Sequence, residues 1–422
     1  MKEYSLALVI PAYNRHESLA RLLSSVGNLH PVDTKVTLII TLEGDTTPEV
    51  IRIAESFKWK LGKKRVIRQT KQLGLREHIL FCGDQTEEFD HVIVVEDDLY
   101  LSPHALEFTR AATNFYLTED RLAGISLYSP AFSEISFRPF VPHHDEYDGY
   151  FMQQSSSWGQ VWSRDQWNKF RSWYAENLEF DFEKSDMPWN IKIWPKTSWK
   201  RYFMAFICDT GQYFYYPRVS LSTNFSEAGT HQQSNTRYQV QLQNHAIEHN
   251  FPEFGASDSI YDIYYERLPR SFIDIAREYP KKELIVDLYG NRAISRKDRG
   301  RLILTSKTLE SEPIRSYALK LKPHEDNVIK NIPGDEIFLH LLDNEIFDEP
   351  SGMRAVSVPE LTYWAGLKPN LLVKYSDIHQ RQELQKHLDD LGFLKNLRFK
   401  MWMRAVRRWF MRIQKRLGII QK

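Results

Sequence analysis

Apolar and polar positions follow two alternating periods through the first third of the chain. Residues 6–10 are an unbroken apolar run of strand length. Leu19, Leu22, Leu23 and Val26 then recur at helical spacing, and residues 36–42 are a second strand run. Thr47 followed by Pro48 reads as a helix start, with Val50, Ile51, Ala54 and Phe57 on one face of the helix that it opens. Residues 66–68 give a weaker third strand, 75–81 a helix and 92–95 a fourth strand. Such alternation predicts an α/β protein with a mainly parallel sheet covered by helices.

After residue 120 the pattern changes to short aromatic-rich segments. "SSSWGQVWSRDQWNKFRSWY" (155–174) reads as a strand and loop entering a helix capped by Ser163, and "QYFYYPRVSLSTNF" (212–225) as a pair of short strands. Trp158, Trp162, Trp167 and Trp173 offer faces on which a sugar ring can stack, although aromatics of this kind more commonly build cores. Four further strand runs, "ELIVDLYG", "GRLILTS", "IRSYALKL" and "EIFLHLL", predict a smaller β-containing region and carry no chemical signature.

The fourth strand ends in Glu96, Asp97 and Asp98, followed by Ser102 and Pro103, which read as an N-cap and a first-turn proline. Three adjacent anions at the end of a buried strand repel one another and need a cation. Mg²⁺ or Mn²⁺ is the expected one, because hard ions take carboxylate oxygens and leave the rest of their shell to substrate phosphates. In α/β sheets the loop after a strand is also where ligands bind. The competing reading is a solvated acidic turn.

The chain has 422 residues, a formal net charge of +1 and 42% hydrophobic content, enough for a sizeable core and without a global bias toward a polyanionic partner. The charge is unevenly spread. Residues 391–422 hold ten Lys and Arg and no acid, leaving 46 basic against 55 acidic residues elsewhere. Two cysteines, Cys82 and Cys208, argue against a disulfide framework. The N-terminal apolar run is too short for a signal peptide, and no stretch approaches a membrane span, which predicts a cytoplasmic protein.

Six segments in order resemble GT-A glycosyltransferases, the N-acetylglucosaminyltransferase I family (family 13) and bacterial family 2-like enzymes above all. They are "LALVIPAYNRHESLARLLSSV", "TLEGDTTPEV", "QLGLREH", "VIVVEDDLYLSPHALEF", "SSSWGQVWSRDQW" and "YPRVSLSTNFSEAGTH". The resemblance implies a GT-A, Rossmann-like domain at 1–235; beyond it the chain's own pattern predicts a connecting helical segment at 236–280, a smaller accessory domain at 281–385 and a basic amphipathic helix at 396–420. The resemblance implies that Asp98 holds a divalent metal, Mn²⁺ or Mg²⁺, with His231 as a late-loop metal ligand or diphosphate contact. Glu96 and Asp97 would face the donor's sugar and ribose, Pro11, Asn14, Arg15, Glu43 and Arg76 would bind the rest of the donor, and Trp158 and Gly159 would lie on the acceptor side. Family 13 enzymes place a catalytic Asp just before a Trp. Here "TSWKRY" has Ser198 before Trp199, and a serine cannot be that base, so Glu227 and Asp209 are the candidates.

In "NLRFKMWMRAVRRWFMRIQKRLGII", Trp402, Val406, Trp409, Phe410, Ile413, Leu417 and Ile420 form one helical stripe opposite an all-cationic face, the composition of a helix lying on an anionic membrane. A packed helix or a dimer seam is the alternative. The combined expectation is a metal-dependent, inverting glycosyltransferase at the inner face of the cell membrane. It would use a nucleotide sugar, a UDP-sugar in preference, and a saccharide or lipid-linked acceptor of cell-surface polysaccharide synthesis. A non-catalytic saccharide- or nucleotide-binding relative is the alternative. No P-loop or G-x-G-x-x-G element supports nucleotidyl transfer.

Overall fold

The computed structural model describes residues 4–225, 238–343, 360, 363 and 364. The chain divides into two compact units, Met1–Arg354 and Ala355–Lys422, and the elements below belong to the first. The expected tail helix at 396–420 lies outside the described residues.

The main sheet is built from β1 (Leu6–Ala12), β2 (Val36–Leu42), β3 (Lys64–Arg68) and β4 (His91–Val94). The chain then runs through β5 (Leu99–Leu101) and returns to the sheet with β6 (Leu122–Ser126), β7 (Gly149–Met152), β8 (Gln160–Ser163) and β9 (Tyr213–Pro217). After β10 (Ser222–Asn224), β11 (Ile260–Tyr261) closes one edge, giving nine strands in the order β11-β7-β9-β6-β8-β4-β1-β2-β3. Neighbours pair in parallel except at β4–β8, β6–β8 and β7–β9. Every residue of β1 is buried, as its unbroken apolar run requires of a strand covered on both faces.

Helices α1 (His16–Val26), α2 (Pro48–Ser56) and α3 (Leu75–Asp84) follow the first three strands. α1 buries Leu19, Leu22, Leu23 and Val26, the positions that its sequence period marks. α4 (Ala105–Phe115) starts later than Ser102–Pro103 suggests, and β5 lies ahead of Ser102, pairing antiparallel with β10. The Ser102 hydroxyl accepts the His104 N–H (3.1 Å), so it caps a turn ahead of the helix. α5 (Arg164–Glu176) begins with the expected cap: Ser163 and Gln166 exchange hydrogen bonds in a capping box. A short α6 (Trp189–Lys192) and then α7 (Trp199–Thr210) precede β9.

The stretch expected to be a helical connector instead contributes β11 to the main sheet and only a short helix, Ile273–Glu278. The smaller region forms a four-stranded sheet from β12 (Leu284–Asp287), β13 (Leu302–Thr305), β14 (Arg315–Tyr317) and β15 (Ile337–Leu341). Its own core includes Val286, Leu302, Leu304, Tyr317 and Leu339.

His91, the first residue of β4, is buried and stacks on Tyr4 with ring centroids 4.9 Å apart. Burial drives its pKa down to about 4, against a weaker opposing pull from Asp90. The unfolded chain therefore takes up a proton that the native imidazole refuses. Stability from this group is complete above pH ~6.5 and is lost as pH falls toward 4, amounting to about 3 kcal/mol. Denaturant titrations across that window are expected to show a shallower pH slope for His91→Phe than for the native chain; parallel slopes would contradict it.

Candidate functional site

The chain builds β1, β2 and β3 outward in one direction and then returns to place β4 on the other side of β1. Strand order reverses between β1 and β4, the place in an open α/β sheet where a crevice opens at the strands' carboxyl ends. Val9 pairs with Val94, so the residues just after both strands meet there: Tyr13, Asn14 and Arg15 from β1, and Glu96, Asp97 and Asp98 from β4. Arg15 spans the gap, pairing with the Asp97 carboxylate and, at 3.0 Å, with Asp98 Oδ2.

Part of the cation that the triplet needs is thus a guanidinium from 83 residues earlier in the chain. The compensation is incomplete. Burial, then repulsion from Asp98, raises the Glu96 pKa to about 8, with Arg15 and Lys200 opposing. Burial also raises Asp97 to about 6 despite its contact with Arg15.

Asp98 Oδ1 is buried and has no hydrogen-bond partner. A buried carboxylate oxygen left over after its partner oxygen is paired is a site that a cation can satisfy. Among the described residues the triplet does not form a cluster of three donors within 4.8 Å of one another, so substrate oxygens would complete such an ion's shell. The donor set fits a hard divalent ion shared with a diphosphate.

The remaining expected donor residues are placed as follows. Pro11 is buried within β1, opposite Thr41, and Asn14 is exposed in the loop after that strand. Glu43, at the end of β2, is buried, and its carboxylate accepts the Leu73 N–H (2.7 Å) and lies 3.2 Å from His78 Nδ1. His78 Nε2 meets the Thr41 hydroxyl at 3.0 Å, and burial lowers the His78 pKa. Glu43 therefore holds the loop after β3 rather than presenting an open carboxylate to a base. Asp45 accepts a hydrogen bond from the Tyr13 hydroxyl (3.0 Å), tying the loops after β1 and β2 together. Arg76 donates to the Lys196 carbonyl (3.0 Å) and pairs with Glu77.

On the other flank, β8 runs antiparallel to β4 with Val94 opposite Gln160; continuing that register brings Gly159 level with Val95 and Trp158 level with Glu96. Gly159 has φ +93°, and a Cβ there would lie 3.1 Å from Leu127 Cβ, so the tight turn favours glycine. Trp158 is half-buried among Tyr128 (4.7 Å) and Tyr238 (4.5 Å), with Lys200 Nζ 5.9 Å from its ring. Trp162, Trp167 and Trp173 are buried, so these three are core and only Trp158 stands beside the triplet.

Asp209 is not near the triplet. It lies at the far end of α7 from Lys200, roughly 14 Å along the axis at 1.5 Å per residue, and accepts the Trp173 indole N–H (2.7 Å). The helix that its sequence neighbours form carries it away. Glu227 and His231 lie outside the described residues, but the residues bordering that segment are placed. The Phe225 N–H donates to the Asp98 carbonyl (3.2 Å), and Tyr238 packs on Trp158.

Sequence reasoning missed Glu134. Its carboxylate pairs with Lys200 at 3.2 Å, and the same ammonium sits over Trp158 and Trp194. No motif marks "FSEISF"; the one local signal is a lone carboxylate in an aromatic segment.

Ser198, just before Trp199, is the N-cap of α7 and accepts the Arg201 N–H (3.3 Å). Ser198→Ala is expected to cost about 1 kcal/mol in denaturant unfolding, and Ser198→Asp to preserve stability. Equal losses in both variants would contradict the capping role.

No family model matches the chain, and no curated protein matches it. Among solved structures it is similar to S. aureus TarS 1–349, with 13% identity, coverage of 50% of this chain and 60% of that one, and TM-score 0.32. The same protein in complex with UDP-GlcNAc gives 14%, 41%, 47% and 0.29 for those four quantities. The mannosyltransferase PcManGT from Pyrobaculum calidifontis, in complex with GDP-Man and Mn²⁺, gives 12%, 39%, 46% and 0.27. The matched region spans at most 60% of these three chains, and superpositions this loose carry no argument. The functional reading rests on the chain's own residues.

Proposed function

We propose that the chain is a metal-dependent, inverting glycosyltransferase that moves a sugar from a nucleotide sugar, a UDP-sugar in preference, to a hydroxyl of a saccharide or lipid-linked acceptor. The observation that carries this reading is the Glu96–Asp97–Asp98 triplet at the β1–β4 switch point, with Asp97 buried, Asp97 and Asp98 bridged by Arg15, and one buried Asp98 oxygen left unpartnered. Asp98 would hold Mn²⁺ or Mg²⁺, which supplies positive charge to the departing diphosphate. Arg15 offers a guanidinium fork suited to phosphate oxygens as well as to carboxylates.

Glu96 and Asp97 face the sugar and ribose, and Trp158 offers its ring to the acceptor. Glu134 takes the proton of the attacking hydroxyl, with Lys200 positioning its carboxylate. The basic 396–420 segment would bring this site to the anionic inner face of the cell membrane. Among the described residues no helix is long and apolar enough to cross a membrane.

Ser198 in place of the family's Asp favours a second reading, a non-catalytic nucleotide- or saccharide-binding relative acting as a membrane-associated assembly protein. Incubating the purified chain with individual nucleotide sugars and Mn²⁺ separates the two. Release of nucleoside diphosphate from one donor, abolished by EDTA, is expected. Nucleotide binding with no release from any donor, even with saccharide acceptors present, would favour the second reading.

A further inference from the structure

Away from the switch point, three side chains with metal-ligand chemistry converge from two elements. His30 lies in the turn after α1, His104 is the N-cap residue of α4, and Glu107 is in that helix's first turn. His104 Nδ1 is 2.5 Å from Glu107 Oε2 and His30 Nδ1 is 3.5 Å from Oε1, with the two imidazole rings edge to face at 4.6 Å. One donor atom from each residue lies within 4.8 Å of the others, and among the described residues this is the one group of three His, Cys, Asp or Glu that does so.

We propose that His30, His104 and Glu107 form a zinc-class metal site. Donors on a tetrahedral ion at 2.0–2.1 Å lie roughly 3.3 Å apart, so the present spacings need only small side-chain movements. Two imidazoles and one carboxylate, with water in the fourth position, suit Zn²⁺ better than the oxygen-only shells of Mg²⁺.

The protein already fixes two of the ligands through their backbones. The His30 N–H donates to the Pro103 carbonyl (2.9 Å), and the His104 N–H donates to the Ser102 hydroxyl (3.1 Å). Burial is graded across the cluster: the His104 side chain is 8% exposed, whereas His30 and Glu107 are 46% and 40% exposed and leave an open side for water. His249, with a buried Nδ1 that has no hydrogen-bond partner, stands close enough for the charges of Glu107 and His104 to act on it. An ion here would staple the turn after α1, the helix that Arg15 caps, to the start of α4.

The site is independent of the proposed transferase activity, and its test does not use that activity. The full chain, stripped with a chelator, is titrated with Zn²⁺ against a competing chelating dye, and each variant is checked by circular dichroism. The native chain and Asp98→Ala are expected to take up the same one tight equivalent. His30→Ala and Glu107→Gln, changed at exposed positions so that the fold is retained, are expected to bind it at least tenfold more weakly. Zn²⁺ should raise the melting temperature of the native chain and not of these two variants. Native-like zinc uptake by both variants, or no uptake by the native chain in competition with the dye, would overturn the site and leave an imidazole–carboxylate network only.

Discussion

Asp98→Asn is expected to lower metal-dependent turnover of the donor by on the order of 10³-fold, the scale on which loss of one preorganised charge-stabilising contact is felt. The fold is expected to survive, for a reason visible in the site. Asp98 repels Glu96 in a buried setting, and Asp97 keeps its contact with Arg15 when Asp98 becomes neutral. A lost ion pair and a lost repulsion offset each other, so the melting temperature should change little.

The same variant has a pH signature. Glu96 and Asp97 are raised to about 8 and about 6, so between their ordinary values near 4 and these values the native state binds more protons than the unfolded chain. Their contribution is thus complete below pH ~4 and is lost as pH rises toward 8. A divalent cation, which favours the ionised carboxylates, should raise the melting temperature more at pH 8 than at pH 5. Asp98→Asn should abolish that difference. Donor turnover at the native rate in Asp98→Asn would remove the metal assignment.

Glu134→Gln is expected to reduce sugar transfer by roughly 10²–10⁴-fold, the usual contribution of a general base, while leaving donor binding intact. Its partner gives a control. Lys200→Met removes the ammonium that holds the Glu134 carboxylate at 3.2 Å and should raise the acceptor KM as well as lower kcat, since the same ammonium lies over Trp158. Glu227→Gln, at the acid that the sequence favours, is the comparison variant. A loss confined to Glu227→Gln, with Glu134→Gln at the native rate, would return the base to the segment after Phe225.

What the sequence made legible was local. The unbroken run of β1 announced a strand covered on both faces, and α1 buried the four positions that its period marked. The strand ending in three carboxylates arrived at the carboxyl edge of the sheet, as strand–helix alternation implies.

What was not legible depends on partners far apart in the chain. β5 is three residues long and exists through its pairing with β10, more than a hundred residues later. Arg15 meets Asp97 and Asp98 only because β1 and β4 are neighbours. Glu43 looked like a ligand-facing acid, but the loop after β3 folds over it and takes its carboxylate. Asp209 is ten positions from Trp199 in sequence and a helix length from it in space. Glu134 carried no pattern, since its significance comes from Lys200, 66 residues away, whose ammonium also lies over the Trp158 ring.

At the β1–β4 switch point a nucleoside diphosphate sugar is expected to bind through a divalent ion on Asp98. Melting temperature measured for the full chain against a panel of nucleotide sugars, each with and without Mn²⁺, tests it directly, because a ligand that binds only the native state raises the midpoint by mass action. The expected result is a rise with one UDP-sugar that requires Mn²⁺ and is absent in Asp98→Ala. A rise of equal size without metal, or in Asp98→Ala, would contradict the claim.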